Sequence, residues 1–196
     1  MKHNGFEYID FGLPSGTKWA KCNVGAYSET DNGLYFPFGG IVGLDSPYYE
    51  GNFDSHKLKF NGDKKATLHL DNDAAHIHMG GKWHMPTKEQ FEELLDEKNT
   101  VSTWIYDYCI REVSGRLFRS RINNETLFIP ANGFISNHQY VQNGQTCSLW
   151  TSSLDFSSVY NCTDFFCDKY NTYLARTSAY YVCIGIRGVF NTFWVK

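Results

Sequence analysis

The most informative stretch of the chain runs from residue 80 to residue 95 and reads GGKWHMPTKEQFEELL. Thr87 is a residue type that caps helix N-termini, and Gln90, three positions later, completes a capping box. An apolar face then recurs at helical spacing, formed by Phe91, Leu94 and Leu95. The stretch therefore predicts an amphipathic helix that begins after Thr87 and packs one face against a core.

A second helix precedes this stretch, and β patterning surrounds the pair. Acidic and amide residues at positions 71–73 lead into Ala74–Met79, and Gly80 ends that segment. Strand-like runs lie on either side: Glu7–Phe11, Lys18–Val24, Thr103–Tyr108, Leu117–Ile122, Thr126–Pro130, Ser148–Ser152, Tyr180–Ile186 and Gly188–Trp194. Two early helices and many late strands predict an α+β fold. No repeat or linker divides the chain, so we expect one domain over residues 1–196.

Five ordered blocks of the chain resemble one family. They are Glu7–Ala26 (EYIDFGLPSGTKWAKCNVGA), Gly80–Thr87 (GGKWHMPT), Phe128–Phe134 (FIPANGF), Leu149–Ser153 (LWTSS) and Ile184–Val189 (IGIRGV). Together they resemble the Fibrobacter succinogenes major paralogous domain, with His84 in place of the usual arginine. The resemblance implies a C-type-lectin-like fold, with two helices and a twisted, mostly antiparallel sheet with long loops. More distant similarity extends to formylglycine-generating enzymes and to phage tropism determinants.

The same blocks supply candidate scaffold residues. Trp83 and Trp150 are expected to fill the core, because large rings bury much apolar surface. Arg187 is expected to hold either a carboxylate or backbone carbonyls. These three residues are therefore interpreted as structural support.

Composition narrows the class of partner and the compartment. The net charge is -3 and the charges are interspersed, which argues against nucleic-acid binding. No apolar run is long enough to span a bilayer, so membrane insertion is not expected. The first residues carry no apolar secretion signal, so we expect folding in a cytoplasm and six reduced cysteines.

Metal, cofactor and catalytic chemistry are each disfavoured. His76, His78 and His84 lie close together in sequence, but His76 and His78 would point to different sides of a helix, and a tetrahedral zinc site needs three or four convergent ligands. The Glu-Pro-Asn and Trp-Asn-Asp strings of sugar-binding C-type lectins do not occur. No basic cluster surrounds the cysteines of the C-terminal region in sequence, namely Cys162, Cys167 and Cys183. We therefore expect no metal, no cofactor and no enzyme activity.

The window from Asp155 to Cys183 has an unusual composition. Lys169 is its only Lys, Glu, Gln, Met or Trp, whereas about five such residues are expected at the chain-wide rate. Codons that end in a pyrimidine cannot encode those five types, a pattern that resembles the targets of diversity-generating retroelements. Tyr, Ser and Asn are also the residues of adaptable binding surfaces. The alternative interpretation is a strand–loop–strand region with a β-rich composition.

We interpret this window as a binding surface on loops between two scaffold strands. Trp150 and Arg187 are expected beneath it. The candidate ligand-binding residues are Asp155, Phe156, Tyr160, Asn161, Asp164, Phe166, Tyr170, Asn171 and Tyr173.

These observations predict a ligand- or receptor-binding domain, carried on a bacteriophage virion as part of a fibre, tail or capsid. Its expected partners are a glycan or protein of the host surface, other virion proteins, and copies of itself in a trimer. The alternatives are a structural virion subunit without host contact, and an oxidase related to formylglycine-generating enzymes. Assembly in the host cytoplasm would explain the missing secretion signal.

Overall fold

The secondary structure consists of many short strands and two α-helices. The computed structural model describes residues 1–47, 58–61, 67–154, 161–178 and 182–192. Within these ranges the helices are α1 (Ala74–Met79) and α2 (Lys88–Leu95). The strands are β1 (Lys2–His3), β2 (Phe6–Asp10), β3 (Thr17–Ala20), β4 (Tyr35–Phe36), β5 (Phe60–Asn61), β6 (Thr67–Leu68), β7 (Thr100–Ile105), β8 (Gly115–Ser120), β9 (Thr126–Pro130), β10 (Phe134–Ser136), β11 (Gln139–Val141), β12 (Cys147–Leu154), β13 (Asn161–Cys167), β14 (Thr172–Ser178), β15 (Val182–Gly185) and β16 (Val189–Asn191).

The largest sheet organises the C-terminal half of the chain. Its strand order is β11-β10-β15-β12-β13-β14, with β4 paired to β15 and β6 paired to β12. Most pairings are antiparallel, and the parallel contact between β12 and β15 is limited to Leu149 and Gly185. Strands β7, β8 and β9 form a separate antiparallel sheet. These observations confirm an α+β class with mostly antiparallel sheets.

Both helices begin at the capping residues that the sequence predicts. The Asp73 carboxylate accepts a hydrogen bond from His76 N–H at 2.8 Å at the start of α1. Thr87 and Gln90 form the predicted capping box at the start of α2, which satisfies two amides that the helix itself leaves unpaired. Helix prediction succeeds here because the caps are local in sequence.

Two clusters of buried side chains lie on opposite faces of the large sheet. On β12, Trp150 belongs to one cluster and its neighbour Leu149 to the other, as the alternation of a strand requires. Helix α1 contributes to the first cluster and α2 to the second. One sheet therefore joins both parts of the core.

The two ends of the described chain meet in one sheet. Its order is β1-β2-β3-β16, so the first and last strands form its two edges with β2 and β3 between them. The His3 ring stacks on Phe190 at 4.3 Å between centroids. Trp83 is fully buried beside them, and its indole N–H donates to the His3 carbonyl at 3.0 Å. The core placement of Trp83 is confirmed, and the contact between His3 and Phe190 joins the two ends of the described chain, whereas residues 193–196 lie outside the described ranges.

Several strand boundaries differ from the predictions. β7 spans Thr100–Ile105 instead of Thr103–Tyr108, since Tyr108 begins a short 3-10 turn. β3 ends at Ala20, well before Val24, because the chain turns towards the buried Arg187. No helix in the part of the chain that the structure describes is long and apolar enough to cross a bilayer.

Candidate ligand-binding site

Much of the unusual window is a β-hairpin, which corrects the expectation of loops. β13 and β14 pair along their whole length, and β13 continues the large sheet from β12. Between them, the Asp168 carboxylate accepts from the amides of Tyr170 at 2.7 Å and Asn171 at 2.6 Å. This side-chain turn fixes the hairpin register. The alternative interpretation, a strand–loop–strand region, describes residues 161–178 better.

The hairpin separates the predicted ligand-binding residues into two groups. Tyr170 (78 % exposed) and Asn171 lie at the turn, whereas Tyr173 (47 % exposed) lies on one sheet face with Phe166 and Asp164. Asp164 is only 2 % exposed, so its predicted place on an exposed surface is wrong. Asn161 begins β13. The other three predicted residues lie outside the described ranges: Asp155, Phe156 and Tyr160.

The two predicted support residues have different positions. Trp150 lies directly opposite Asp164 in the sheet register, and its indole N–H donates to the Phe36 carbonyl at 2.8 Å. It therefore lies beside Asp164 on the neighbouring strand and is fully buried, which confirms its predicted place in the core. Arg187 instead donates to residues of the N-terminal segment and to Phe128 O. None of these bonds reaches the described hairpin residues, so its place beneath that surface stays a prediction.

A groove of about 360 Å³ lies beside the hairpin turn, and we call it the turn groove. Three aromatic rings line it, those of Trp104, Tyr106 and Tyr170. Amide, hydroxyl and charged groups complete its wall: Ser114, Gln142, Gln145, Thr146, Asp168 and Lys169, beside Gly144. Tyr106 and Tyr170 are both largely exposed. The groove thus presents ring faces and hydrogen-bonding groups together.

Arg116 stabilises the turn groove by contacts with the hairpin turn and with the Trp104 ring. Its guanidinium donates to the carbonyls of Asp168 at 2.5 Å and Asn171 at 3.3 Å. It also lies over the Trp104 ring, 5.7 Å from the centroid. One buried cation therefore fixes both the turn and an aromatic wall, so the groove is preorganised.

A second depression has a volume of about 220 Å³ and lies on one face of the β13–β14 hairpin, away from its turn. We call it the sheet-face pocket. Neighbouring strands supply its lining, which consists of Phe134, Ser148, Asp164, Phe166, Tyr173, Ala175, Thr177, Val182 and Ile184. The strand register explains the set, since Ser148, Phe166 and Tyr173 form one cross-strand row. Asp164 and Ala175 belong to the next row.

Asp164 is a buried carboxyl group in this pocket, and its surroundings are unfavourable for a negative charge. Its Oδ1 is buried and has no hydrogen-bond partner in the described part of the chain. Burial raises the pKa of this carboxyl to about 6, although a hydrogen bond with Thr177 acts in the opposite direction. A buried polar atom without a partner is costly, and native proteins contain few of them.

The histidines do not converge. The His76 ring lies 3.1 Å from Trp83 O, whereas the His78 ring lies 2.9 Å from Ile41 O. They contact different parts of the chain, as a spacing of two residues on a helix predicts. His84 contacts Met85 O at 2.9 Å. Within the described ranges, no three His, Cys, Asp or Glu side chains form a group that could hold a metal ion.

Arg116 also approaches a pair of buried cysteines. Cys147 and Cys167 are directly opposite each other on β12 and β13, and both are fully buried. Burial would raise the pKa of Cys167, but the Cys147 thiol and the Arg116 guanidinium outweigh it and lower that pKa. This basic neighbour of Cys167 comes from a distant strand, so the sequence around the cysteine does not show it.

All six cysteines are free thiols in the structure, and their exposure predicts their order of reaction. In the native protein we expect Cys109 to react first with Ellman's reagent, because it is exposed, and Cys22 more slowly. Unfolding in denaturant without reductant should raise the number of reactive thiols to six. A Cys109→Ser variant should lose the fast phase only. Fewer than six thiols after unfolding would contradict the prediction of reduced cysteines.

No known protein family, functionally characterised protein or solved structure matches the chain. The class that the structure defines is an α+β domain with two surface depressions on one C-terminal hairpin. Of the residues that the composition of the window singled out, Tyr170 lines the turn groove and Asp164, Phe166 and Tyr173 line the sheet-face pocket, whereas Asn171 is part of neither lining. Sequence reasoning missed the partners across each depression, because Trp104, Tyr106, Gln142 and Gln145 come from other segments.

Proposed function

We propose that the chain is a non-enzymatic binding domain with a C-type-lectin-like fold, carried on a phage virion and recognising a glycan or protein of the host surface. The observation that carries this proposal is the turn groove. Its rings and amides are the groups that ligand-binding surfaces combine. The resemblance of the five sequence blocks supports the lectin-like fold, and so do the contact between His3 and Phe190 and the mostly antiparallel sheets.

The exposed rings favour recognition over a purely internal role. Tyr106 and Tyr170 leave most of their surface in solvent, although burying such rings is favourable. Exposed rings beside polar groups are typical of interfaces, because a tyrosine gives contact area at low entropic cost. The same ring faces can stack on the apolar faces of a sugar.

The polar groups of the groove provide directional contacts. The side chains of Gln142 and Gln145 carry both donors and acceptors, so they can match hydroxyl groups or peptide groups of a partner. Asp168 and Lys169 add one charge of each sign. Such a mixture suits a neutral polar ligand better than a strongly charged one.

Replacing Tyr170 with alanine is expected to weaken binding by about tenfold or more, because aromatic residues at the centre of an interface contribute roughly 2 kcal/mol or more. The melting temperature should stay nearly unchanged, since the ring is 78 % exposed. The measurement is binding of the purified chain to an array of bacterial surface polysaccharides and to isolated cell envelopes.

Tyr27→Ala is the matched control, because Tyr27 is fully exposed and lines neither depression. It should bind like the unchanged chain. Equal losses in both variants, or normal binding by Tyr170→Ala, would contradict recognition through the turn groove. Incorporation into virions without any binding to glycans or envelopes would instead favour a structural subunit.

A further inference from the structure

The sheet-face pocket contains an acceptor that the chain itself does not satisfy. Asp164 Oδ1 is buried without a hydrogen-bond partner among the residues that the structure describes. Among the described residues, the Thr177 side chain and the Asp164 backbone amide stabilise the carboxylate, and the effect of burial outweighs both. A hydrogen-bond donor entering the pocket would therefore remove a cost that the folded chain bears on its own.

The other pocket walls restrict what that donor can be. Phe134, Val182 and Ile184 make one side apolar, and the rings of Phe166 and Tyr173 make the other side aromatic. Among the described residues that line the pocket, none carries a positive charge. A cationic donor would form a charge-assisted hydrogen bond with the carboxylate and would also contact the ring faces, because aromatic faces attract cations.

The volume limits the size of the group that enters. At about 220 Å³ the pocket is smaller than the 300–1,000 Å³ that is typical of sites for whole drug-sized ligands. It suits a single functional group on a short stem. Tyr173, nearly half exposed, is the side chain that can turn to admit it.

We propose that the sheet-face pocket binds a primary ammonium group on a short alkyl stem, with Asp164 Oδ1 as the acceptor and the Phe166 and Tyr173 rings beside the stem. This site is separate from the turn groove and does not depend on the function proposed for it. The ammonium can belong to a free alkylamine or to a lysine side chain of a partner, since both offer the same chemistry.

The test compares n-butylammonium with 1-butanol, which has the same stem without the charge. Binding to the full chain is followed at pH 7.5 by amide chemical shifts of the pocket strands. At that pH the Asp164 carboxyl, with a pKa of about 6, is mainly ionised. We expect saturable binding of n-butylammonium that is about tenfold or more tighter than that of 1-butanol, because hydrogen bonds to charged groups are strong.

Two variants assign the effect to the pocket. Asp164→Asn keeps the side-chain shape and should abolish the preference for the cation. Ala175→Leu fills the pocket without changing the carboxyl and should abolish binding of both probes. Tyr170→Ala should leave the binding of both probes unchanged. This variant therefore distinguishes a failure of the ammonium-site proposal from a failure of the proposal for the turn groove.

Equal affinity for 1-butanol and n-butylammonium would overturn the proposal, and so would a cation preference that survives Asp164→Asn. A lysine blocked at both its backbone ends serves as a third probe. Its binding, with the same dependence on Asp164, would identify a protein side chain as the source. Binding of n-butylammonium alone would identify a small amine, and either result supports the ammonium site.

Discussion

Replacing Arg187 with methionine is expected to lower the free energy of unfolding by about 3–5 kcal/mol, because it leaves several buried acceptors without donors. The guanidinium is fully buried. Its Nε donates to Asn23 Oδ1 at 2.8 Å, and Nη2 donates to Phe128 O at 3.1 Å. Nη1 donates to the carbonyls of Ala20 and Lys21.

The charge of Arg187 is retained despite this burial. Burial lowers the pKa of its guanidinium to about 10, which still leaves the group protonated at neutral pH. Backbone carbonyls and one amide oxygen take the place of a carboxylate partner. Of the two roles that the sequence left open for Arg187, the structure shows the carbonyl-holding one.

The measurement is urea unfolding of the purified variant. Arg119→Met is the matched control, because Arg119 is exposed on β8 and the same substitution there should change stability by less than about 0.5 kcal/mol. A loss below about 1 kcal/mol for Arg187→Met would show that water replaces the guanidinium, and that the N-terminal segment is not held by this residue.

The parts of the fold that depend on local chemistry were predictable. Helix α2 follows from Thr87, Gln90 and an apolar face within eight residues. Helix α1 has the predicted bounds, because Asp73 and Gly80 mark its two ends. In each case the hydrogen bonds that fix the end of the helix join residues close in sequence.

The hairpin of β13 and β14 was missed because its residues are mixed, although its two strands are neighbours in sequence. Asp164 and Cys162 alternate with Thr163 and Phe165, so neither side of β13 has a clear apolar pattern. Burial of both faces by the sheet removes the usual alternation. The turn was readable, since Asp168 and Asn171 are turn-forming types, but it was assigned to a longer loop.

The candidate site illustrates the same limit. Composition identified the window, and the structure assigns Tyr170 to one depression and Tyr173 to the other. The opposite walls could not be found in this way. Trp104 and Gln145 lie beside Tyr170 only because the fold brings distant segments together, and Arg116 links Trp104 to the hairpin turn.

Replacing Asp164 with asparagine is expected to stabilise the protein at pH 7.5 by about 3 kcal/mol, and hardly at all at pH 4. The carboxyl pKa rises from 3.8 to about 6 on folding, mainly because burial disfavours the charged form. A raised pKa means that the folded state holds its proton more tightly. The contribution of Asp164 to stability is therefore fully present below about pH 3.8 and is lost as the pH rises through about 6. Each pKa unit corresponds to about 1.4 kcal/mol, which gives the magnitude.

Urea unfolding of both proteins between pH 4 and pH 8 measures this difference, and the subtraction removes the other groups that titrate in the range. On the same sheet face, the ionisable neighbours in the described strands are Cys162 and Tyr173. Burial raises the pKa of the Cys162 thiol, so it stays neutral over these pH values.

Asp168→Asn is the control, because that carboxylate accepts turn hydrogen bonds and its pKa is lowered. The Asp168→Asn variant should be less stable than the unchanged protein at pH 7.5, and this loss of stability should become smaller towards acid pH. A stability difference for Asp164→Asn that does not change between pH 4 and pH 8 would mean that the carboxyl is compensated in solution, and that no unsatisfied acceptor awaits a ligand in the sheet-face pocket.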